Sequence, residues 1–107
     1  MAFKLRIVSR AKHDIDDAVA FIAIDSRTAA HRWKAGLQTL ISSLRDMPSR
    51  FPPVSESTEL EVPCRSARYH SHRVIFWIDT EHNTVYVVRV YHGARRPLTN
   101  DDINVVN

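Results

Sequence analysis

Two apolar stripes at helical spacing, separated by one short break, constrain this chain more than any other feature. Ala11, Ile15, Ala18, Val19 and Ile22 recur at the period of a helix, with Lys12, Asp14, Asp16 and Asp17 off that face. Ala30, Trp33, Leu37, Leu40, Ile41 and Leu44 make a second stripe. Between them Asp25-Ser26-Arg27-Thr28 breaks the pattern and offers a cap. Ser9 is placed to cap the first helix, which the spacing predicts over about residues 10–24. Pro48 is expected to stop the second, because it lacks an amide donor and its ring clashes with the preceding turn. So short a link forces the helices back on one another as an antiparallel hairpin. Each stripe then needs a common surface on which to hide. Asp14, Asp16 and Asp17 fall in the early turns, where the helix dipole favours negative charge and water can solvate it.

That surface is supplied by strands. Phe3, Leu5 and Ile7 alternate with Lys4 and Arg6, the period of a strand with one buried face. After the helices comes a loop over 48–63 containing Pro48, Pro52, Pro53 and Pro63 together with Glu56, Glu59 and Glu61. Strands are then expected over 65–69, 74–79 and 84–91, with Thr80-Glu81-His82-Asn83 as a hairpin turn. The fold class is therefore α+β: an N-terminal strand, an antiparallel helix hairpin and a three-stranded antiparallel meander. The helices cover one face of a mostly antiparallel sheet. Trp77, Tyr86, Val88 and Val90 are candidates for the face they leave uncovered. The tail from Pro97 is expected to form a short helix or a strand that docks on a partner. A chain of 107 residues suits one domain, 1–107, with one core.

Charge placement narrows the partners. The formal charge is +3, and twelve of the fifteen basic residues are arginine, whose planar fork pairs with carboxylate or phosphate at two points. Residues 62–96 hold six arginines against Asp79 and Glu81. Within them, Val85 to Tyr91 is an apolar strand that runs into His92, Gly93, Arg95 and Arg96. Arg89, His92, Arg95 and Arg96 are thus expected close together, as a solvated strand end or as a holder of an anionic partner, protein or nucleic acid. No apolar run is long enough to cross a bilayer, there is no signal-type N-terminus, and the one cysteine, Cys64, excludes an internal disulfide. These readings point to the cytoplasm and away from a membrane. Cys64 beside Pro63 reads as structural rather than nucleophilic. His70-Ser71-His72, if extended, puts two imidazoles on one face, with His92 as a candidate third metal ligand. A polar turn is the simpler reading, and neither metal nor cofactor is expected.

With these residues in this order, the chain resembles the RelE/ParE superfamily, the toxic halves of type II toxin–antitoxin pairs. The resemblance rests on Ala11-Lys12-His13-Asp14-Ile15 after the first strand and on Ala29-Ala30 entering the second helix, which leads through Leu37, Ile41 and Leu44 to Pro48. It continues with the arginine-led strand Arg73-Val74-Ile75-Phe76-Trp77. It ends on Val88-Arg89-Val90-Tyr91-His92-Gly93-Ala94-Arg95, similar to the ending common in the ParE-like branch. The resemblance implies a cognate antitoxin whose C-terminal segment wraps the toxin at sheet edges and beside the helix hairpin, in a hetero-oligomer. It also implies a target, either DNA gyrase or ribosome-bound mRNA.

RelE-like nucleases resemble one another in lysines around the loop before the sheet and a tyrosine near the C-terminus. This chain has no lysine after residue 34 and no tyrosine after Tyr91, and its loop is acidic. The ParE-like branch fits better, which implies gyrase inhibition by binding, as in a plasmid-stabilisation toxin, with no catalytic residue favoured. Arg68, Arg73, Trp77, Arg89, Tyr91, His92, Arg95 and Arg96 are the partner-binding candidates. The alternatives are a ribosome-dependent mRNA endonuclease and a non-toxic antitoxin-binding member. The nuclease would use Arg73, Arg89, His92 and Arg95, with Glu59 or Glu61 as base.

Overall fold

The computed structural model describes residues 2–93 and 97–103. Its elements are β1 (Lys4–Ile7), α1 (Ser9–Asp25), α2 (Arg27–Ser43), β2 (Cys64–Tyr69), β3 (His72–Asp79) and β4 (Thr84–His92), with short 3₁₀ turns at Pro48–Arg50 and Ser57–Glu59. This is the α+β architecture expected. The sheet order is β1-β4-β3-β2. β2, β3 and β4 form the antiparallel meander, while β1 lies parallel to β4, Lys4 opposite Thr84 and Ile7 opposite Val87. A parallel pair needs a long crossover, and the helix hairpin is that crossover.

Helix ends follow local chemistry, with two departures from expectation. Ser9 does not occupy the cap of α1: Val8 does, without a side-chain cap bond, and Ser9 is the first helical residue. A single residue, Ser26, then closes one helix and opens the next. Its amide donates to the Ile22 carbonyl at 3.1 Å and its Oγ accepts from the Ala29 amide at 3.1 Å. α2 ends at Ser43, before Pro48 can act. Leu44 caps it, and the Arg50 guanidinium collects the carbonyls of Ser43, Asp46 and Met47, so the freed acceptors are satisfied by a side chain. Pro48 instead starts the next turn, after Met47 at a left-handed φ of 46°.

The core lies between helices and sheet. Ala11, Ile15, Leu37, Ile41 and Leu44 pack against Ala67, Val74, Phe76, Val85 and Val87, all buried. Tyr69 crosses from β2 to α2 and donates its hydroxyl to the Trp33 carbonyl at 2.7 Å.

A β-bulge decides what the other face carries. Phe76 pairs with Val87, but Ile75 pairs with Arg89, so Val88 is an extra residue in β4. Strand alternation shifts by one residue there. Trp77 and Tyr86 lie on the face away from the helices and stack, centroids 5.3 Å apart and planes 15° from parallel. Beyond the bulge, Arg89 and Tyr91 share that face with Arg73. Val90, expected there too, is carried to the helix side, where it lines a groove with Phe21, Ile22 and Trp33. Of the tail, residues 97–103 are described, and they form coil and turn rather than a helix or a strand. Over 97–103 it lies along the chain's own open face, with Leu98 and Ile103 buried.

Candidate functional site

The open face beyond the bulge holds a network of charged side chains. The Arg89 side chain is only 7% exposed. Its Nε donates to Asp14 Oδ2 at 2.7 Å and its Nη2 to Asp14 Oδ1 at 2.9 Å, a two-point pair between β4 and α1. Asp14 Oδ2 also accepts the Val90 amide at 3.0 Å. β4 has outrun its neighbour β1 at that point, so a carboxylate serves the strand edge in place of a paired strand. On the tail side, Arg89 Nη1 stands 3.5 Å from Asp102 Oδ1. Asp102 Oδ2 in turn accepts from the Thr99 amide and hydroxyl at 2.9 and 3.1 Å.

A second pair lies alongside. Arg73 on β3 donates to both oxygens of Glu56 at 3.2 Å, and Glu56 Oε2 accepts the Leu98 amide at 2.8 Å. The Arg73 guanidinium, helped by the Leu98 amide and the Ser55 hydroxyl against the cost of burial, holds the Glu56 carboxyl at about 2. Tyr91, fully buried, sits between the pairs, with the Arg89 and Arg73 guanidinium carbons 5.3 and 5.8 Å from its ring centre. Asp14 and its coulombic field raise the Arg89 pKa further above its ordinary value.

This geometry separates the expected cluster. Arg73, Arg89 and Tyr91 do come together, but two guanidiniums already face three carboxylates, from Glu56, Asp14 and Asp102. Among the described residues, neither of these two guanidiniums is left over for a phosphate. Nor do the described members of the nuclease set, Arg73, Arg89 and His92, all converge. His92 is on the helix side of the sheet, edge-on to His72 with ring centres 4.9 Å apart. Glu59 and Glu61 are exposed. The carboxylate that meets the arginines is Glu56, ionised down to low pH and so a weak base. Arg68 is exposed and Trp77 half-buried. Arg95 and Arg96 lie outside the described residues.

Two smaller expectations resolve locally. His70 takes a left-handed φ of 53° in the β2–β3 turn, so His70 and His72 do not share an extended face. Among the described residues no group of three His, Cys, Asp or Glu is arranged to hold a metal ion. Cys64 is buried, and burial pushes its thiol up to about 11, which leaves it unreactive.

Asp14, Glu56 and Asp102 are the site residues that sequence reasoning missed. Asp14 was legible: it lies three residues after Ala11 and four before Ala18, on the buried stripe rather than off it. Glu56 and Asp102 meet the sheet through irregular chain, for which sequence carries no periodic signal.

The apolar groove on the helix side is the other candidate surface. It has a volume of about 440 Å³ and is walled by Phe21, Ile22, Trp33, His72, Val90 and His92. Phe21 on its wall is 74% exposed. Burial, and the neighbouring His92, lower the pKa of His72.

A crossover helix hairpin on a β1-β4-β3-β2 sheet is the RelE/ParE-like fold, as comparison with solved structures shows. A chain of the ParDE toxin–antitoxin system from P. aeruginosa superposes with a TM-score of 0.67 at 14% identity, over 85% of this chain and 96% of that one. A chain of the toxin–antitoxin complex RelBE2 from Mycobacterium tuberculosis superposes with a TM-score of 0.62 at 24% identity, over 86% and 99%. A search of curated proteins gives no match. The sequence itself settles the branch: residues 5–97 match the family of ParE toxins of type II toxin–antitoxin systems, parDE, and the chain belongs to that family.

Proposed function

We propose that this chain arrests its target by binding, with DNA gyrase as that target, and that a cognate antitoxin holds it in check as a hetero-oligomer. The observation that carries the reading is the charge balance of the open face. Phosphoryl chemistry needs cations free to meet developing charge and a base of suitable pKa. Here Arg73 and Arg89 are paired with carboxylates, and Glu56 is held at about 2. A binding role needs neither. The reachable candidates for target contact are Arg68, Trp77 and His92, with Arg95 and Arg96 beyond the described residues. Arg73, Arg89 and Tyr91 contribute by shaping the strand that presents them.

The groove beside Phe21, Ile22 and Trp33 is the proposed seat for apolar anchors of the antitoxin, as the exposed Phe21 ring would otherwise face water. The solved relatives are themselves toxin–antitoxin proteins, which supports that partner.

Gyrase supercoiling with trapping of cleaved DNA, run beside mRNA cleavage on translating ribosomes, tests the target. Lost supercoiling with accumulated DNA breaks and intact mRNA is expected. Cut mRNA with normal gyrase activity would overturn the reading.

A further inference from the structure

The sheet face turned away from the helices falls into two halves. The half that holds Arg89 and Tyr91 lies under the tail strip, where Leu98 and Ile103 are buried. The half toward the start of β4 carries a different surface. Arg6, Tyr86 and Trp77 stand directly opposite one another across β1, β4 and β3. Lys4, Thr84 and Asp79 make the next row. Leu5 and Ile7 line a groove with Ile15 and Ile41 on the helix side, so the residues that alternate with them, and their cross-strand partners, face the other way. At the centre of the surface the Trp77 and Tyr86 rings stack on each other and are half-buried. At its edge Lys4 and Arg6 are exposed, and among the described residues neither enters an ion pair within 4.0 Å. The acid on these rows, Asp79, is engaged: its side chain is 14% exposed and stands 2.8 Å from His82 Nδ1. Glu81 lies in the turn beyond it.

This composition points to the kind of partner. An aromatic centre with a polar rim is the anatomy of a protein–protein contact, in which a few residues, mostly Trp, Tyr and Arg, carry the binding energy. A nucleic-acid base instead needs an open ring face to stack on. Here each ring covers one face of the other, and Trp77 Nε1 is buried. Two unpaired cations beside the rings ask for carboxylates across the contact, because like charges repel there and opposite charges steer the approach. We infer that this half of the sheet face is where the chain meets its target protein. Trp77 and Tyr86 form the apolar anchor, and Lys4 and Arg6 pair with an acidic patch on the target. The inference rests on the proposed arrest of gyrase by binding, and it adds Lys4, Arg6 and Tyr86 to the contact. It also sets the target on the opposite face of the sheet from the groove at Phe21 and Trp33.

The test is inhibition of gyrase supercoiling by the purified full chain, titrated at low and at physiological salt. Lys4→Glu with Arg6→Glu, its fold and melting temperature matched to the parent, should need about ten-fold or more protein for half-inhibition. Inhibition by the parent should weaken as salt screens the contact, and inhibition by this variant should not weaken further. Arg27→Glu with Arg32→Glu makes the same change of charge at exposed positions of α2 and should inhibit like the parent. Tyr86→Ala, checked for fold in the same way, should inhibit more weakly at both salt levels; if it does not fold, the charge variants decide. An inhibitory parent beside an equally inhibitory Lys4/Arg6 variant, or a folded and equally inhibitory Tyr86→Ala, would overturn the inference and leave the target reading standing. Equal loss in the Arg27/Arg32 variant would do the same, since net charge rather than place would then govern inhibition. A parent chain that leaves supercoiling intact would overturn both. Binding of the parent to duplex DNA alone, lost in the Lys4/Arg6 variant, would overturn the inference and reassign the face to nucleic acid.

Discussion

The carboxylate of Asp14 accepts from Arg89 Nε, Arg89 Nη2 and the Val90 amide, all within 3.0 Å. One side chain thereby ties α1 to β4 and satisfies a strand edge. Removing Arg89 would leave Asp14 and Asp102 as buried charges that have lost their cation. Breaking one member of such a pair costs roughly 3–5 kcal/mol. Arg89→Ala is therefore expected to lose activity through lost stability, seen as a lower urea midpoint with the denaturant slope unchanged. A variant as stable as the parent would show that the pair contributes nothing net. Glu56 adds a pH dependence whose sign follows from its environment. Its folded pKa of about 2 lies below the ordinary 4.5, so its contribution is full above 4.5 and disappears as pH falls towards 2. The shift corresponds to roughly 3 kcal/mol at most, with Arg73 partly open to water. Glu56→Gln should flatten the acid side of the stability profile, measured by urea unfolding between neutral pH and pH near 2. Parallel profiles for parent and variant would rule out this linkage.

Among the elements, α2 meets β2 through one close approach. A Cβ on Gly36 would stand 2.3 Å from the Tyr69 hydroxyl, and that hydroxyl is held by the Trp33 carbonyl. Helix propensity alone favours alanine here by about 1 kcal/mol. The clash opposes it with about 1–3 kcal/mol, so Gly36→Ala should lower the melting temperature. Adding Tyr69→Phe removes the clashing oxygen and leaves a nearest ring carbon at 3.3 Å, so the double variant should recover stability relative to Gly36→Ala. Strictly additive losses would exclude the contact as the cause. Neither partner announces this in the sequence, where Gly36 reads only as a weak point inside a helical stripe. The stripes themselves were legible, as were the strand segments and the antiparallel meander, because each follows a period set by backbone geometry. The parallel pairing of β1 with β4 and the bulge at Val88 were not. Both depend on which strands meet, and the bulge reverses the facing of every later residue in β4. That reversal explains why Val90 and His92 lie on the helix side while Arg89 and Tyr91 lie on the open face.

Across the whole molecule, the chain from Pro97 to Ile103 completes the structure as a third layer. Leu98 and Ile103 are 2% and 3% exposed. The Leu98 amide binds Glu56, Asn100 accepts the Glu61 amide at 2.8 Å, Asp102 meets Arg89, and Arg10 of α1 donates to the Asp101 carbonyl. Loop, sheet and first helix are all joined through this strip. Burial of two aliphatic side chains of this size stabilises by about 1.5–3 kcal/mol each, a large share of the 5–15 kcal/mol typical of a whole domain. The pair Leu98→Ala and Ile103→Ala should thus leave a folded but weakened protein, destabilised by roughly 4 kcal/mol or more. The loss should be uneven. With the strip loosened, the Glu61 amide loses its acceptor and the Glu56–Arg73 pair gains water, while the hairpin of α1 and α2 keeps its own hydrogen bonds and its packing on the far side of the sheet. Hydrogen exchange measured segment by segment should show protection falling first at Glu56–Val62 and at the end of β4, and last in the two helices. If protection fell equally everywhere, the strip would be part of a single cooperative unit. If it fell nowhere, the buried positions of Leu98 and Ile103 would carry none of the stability that their burial implies.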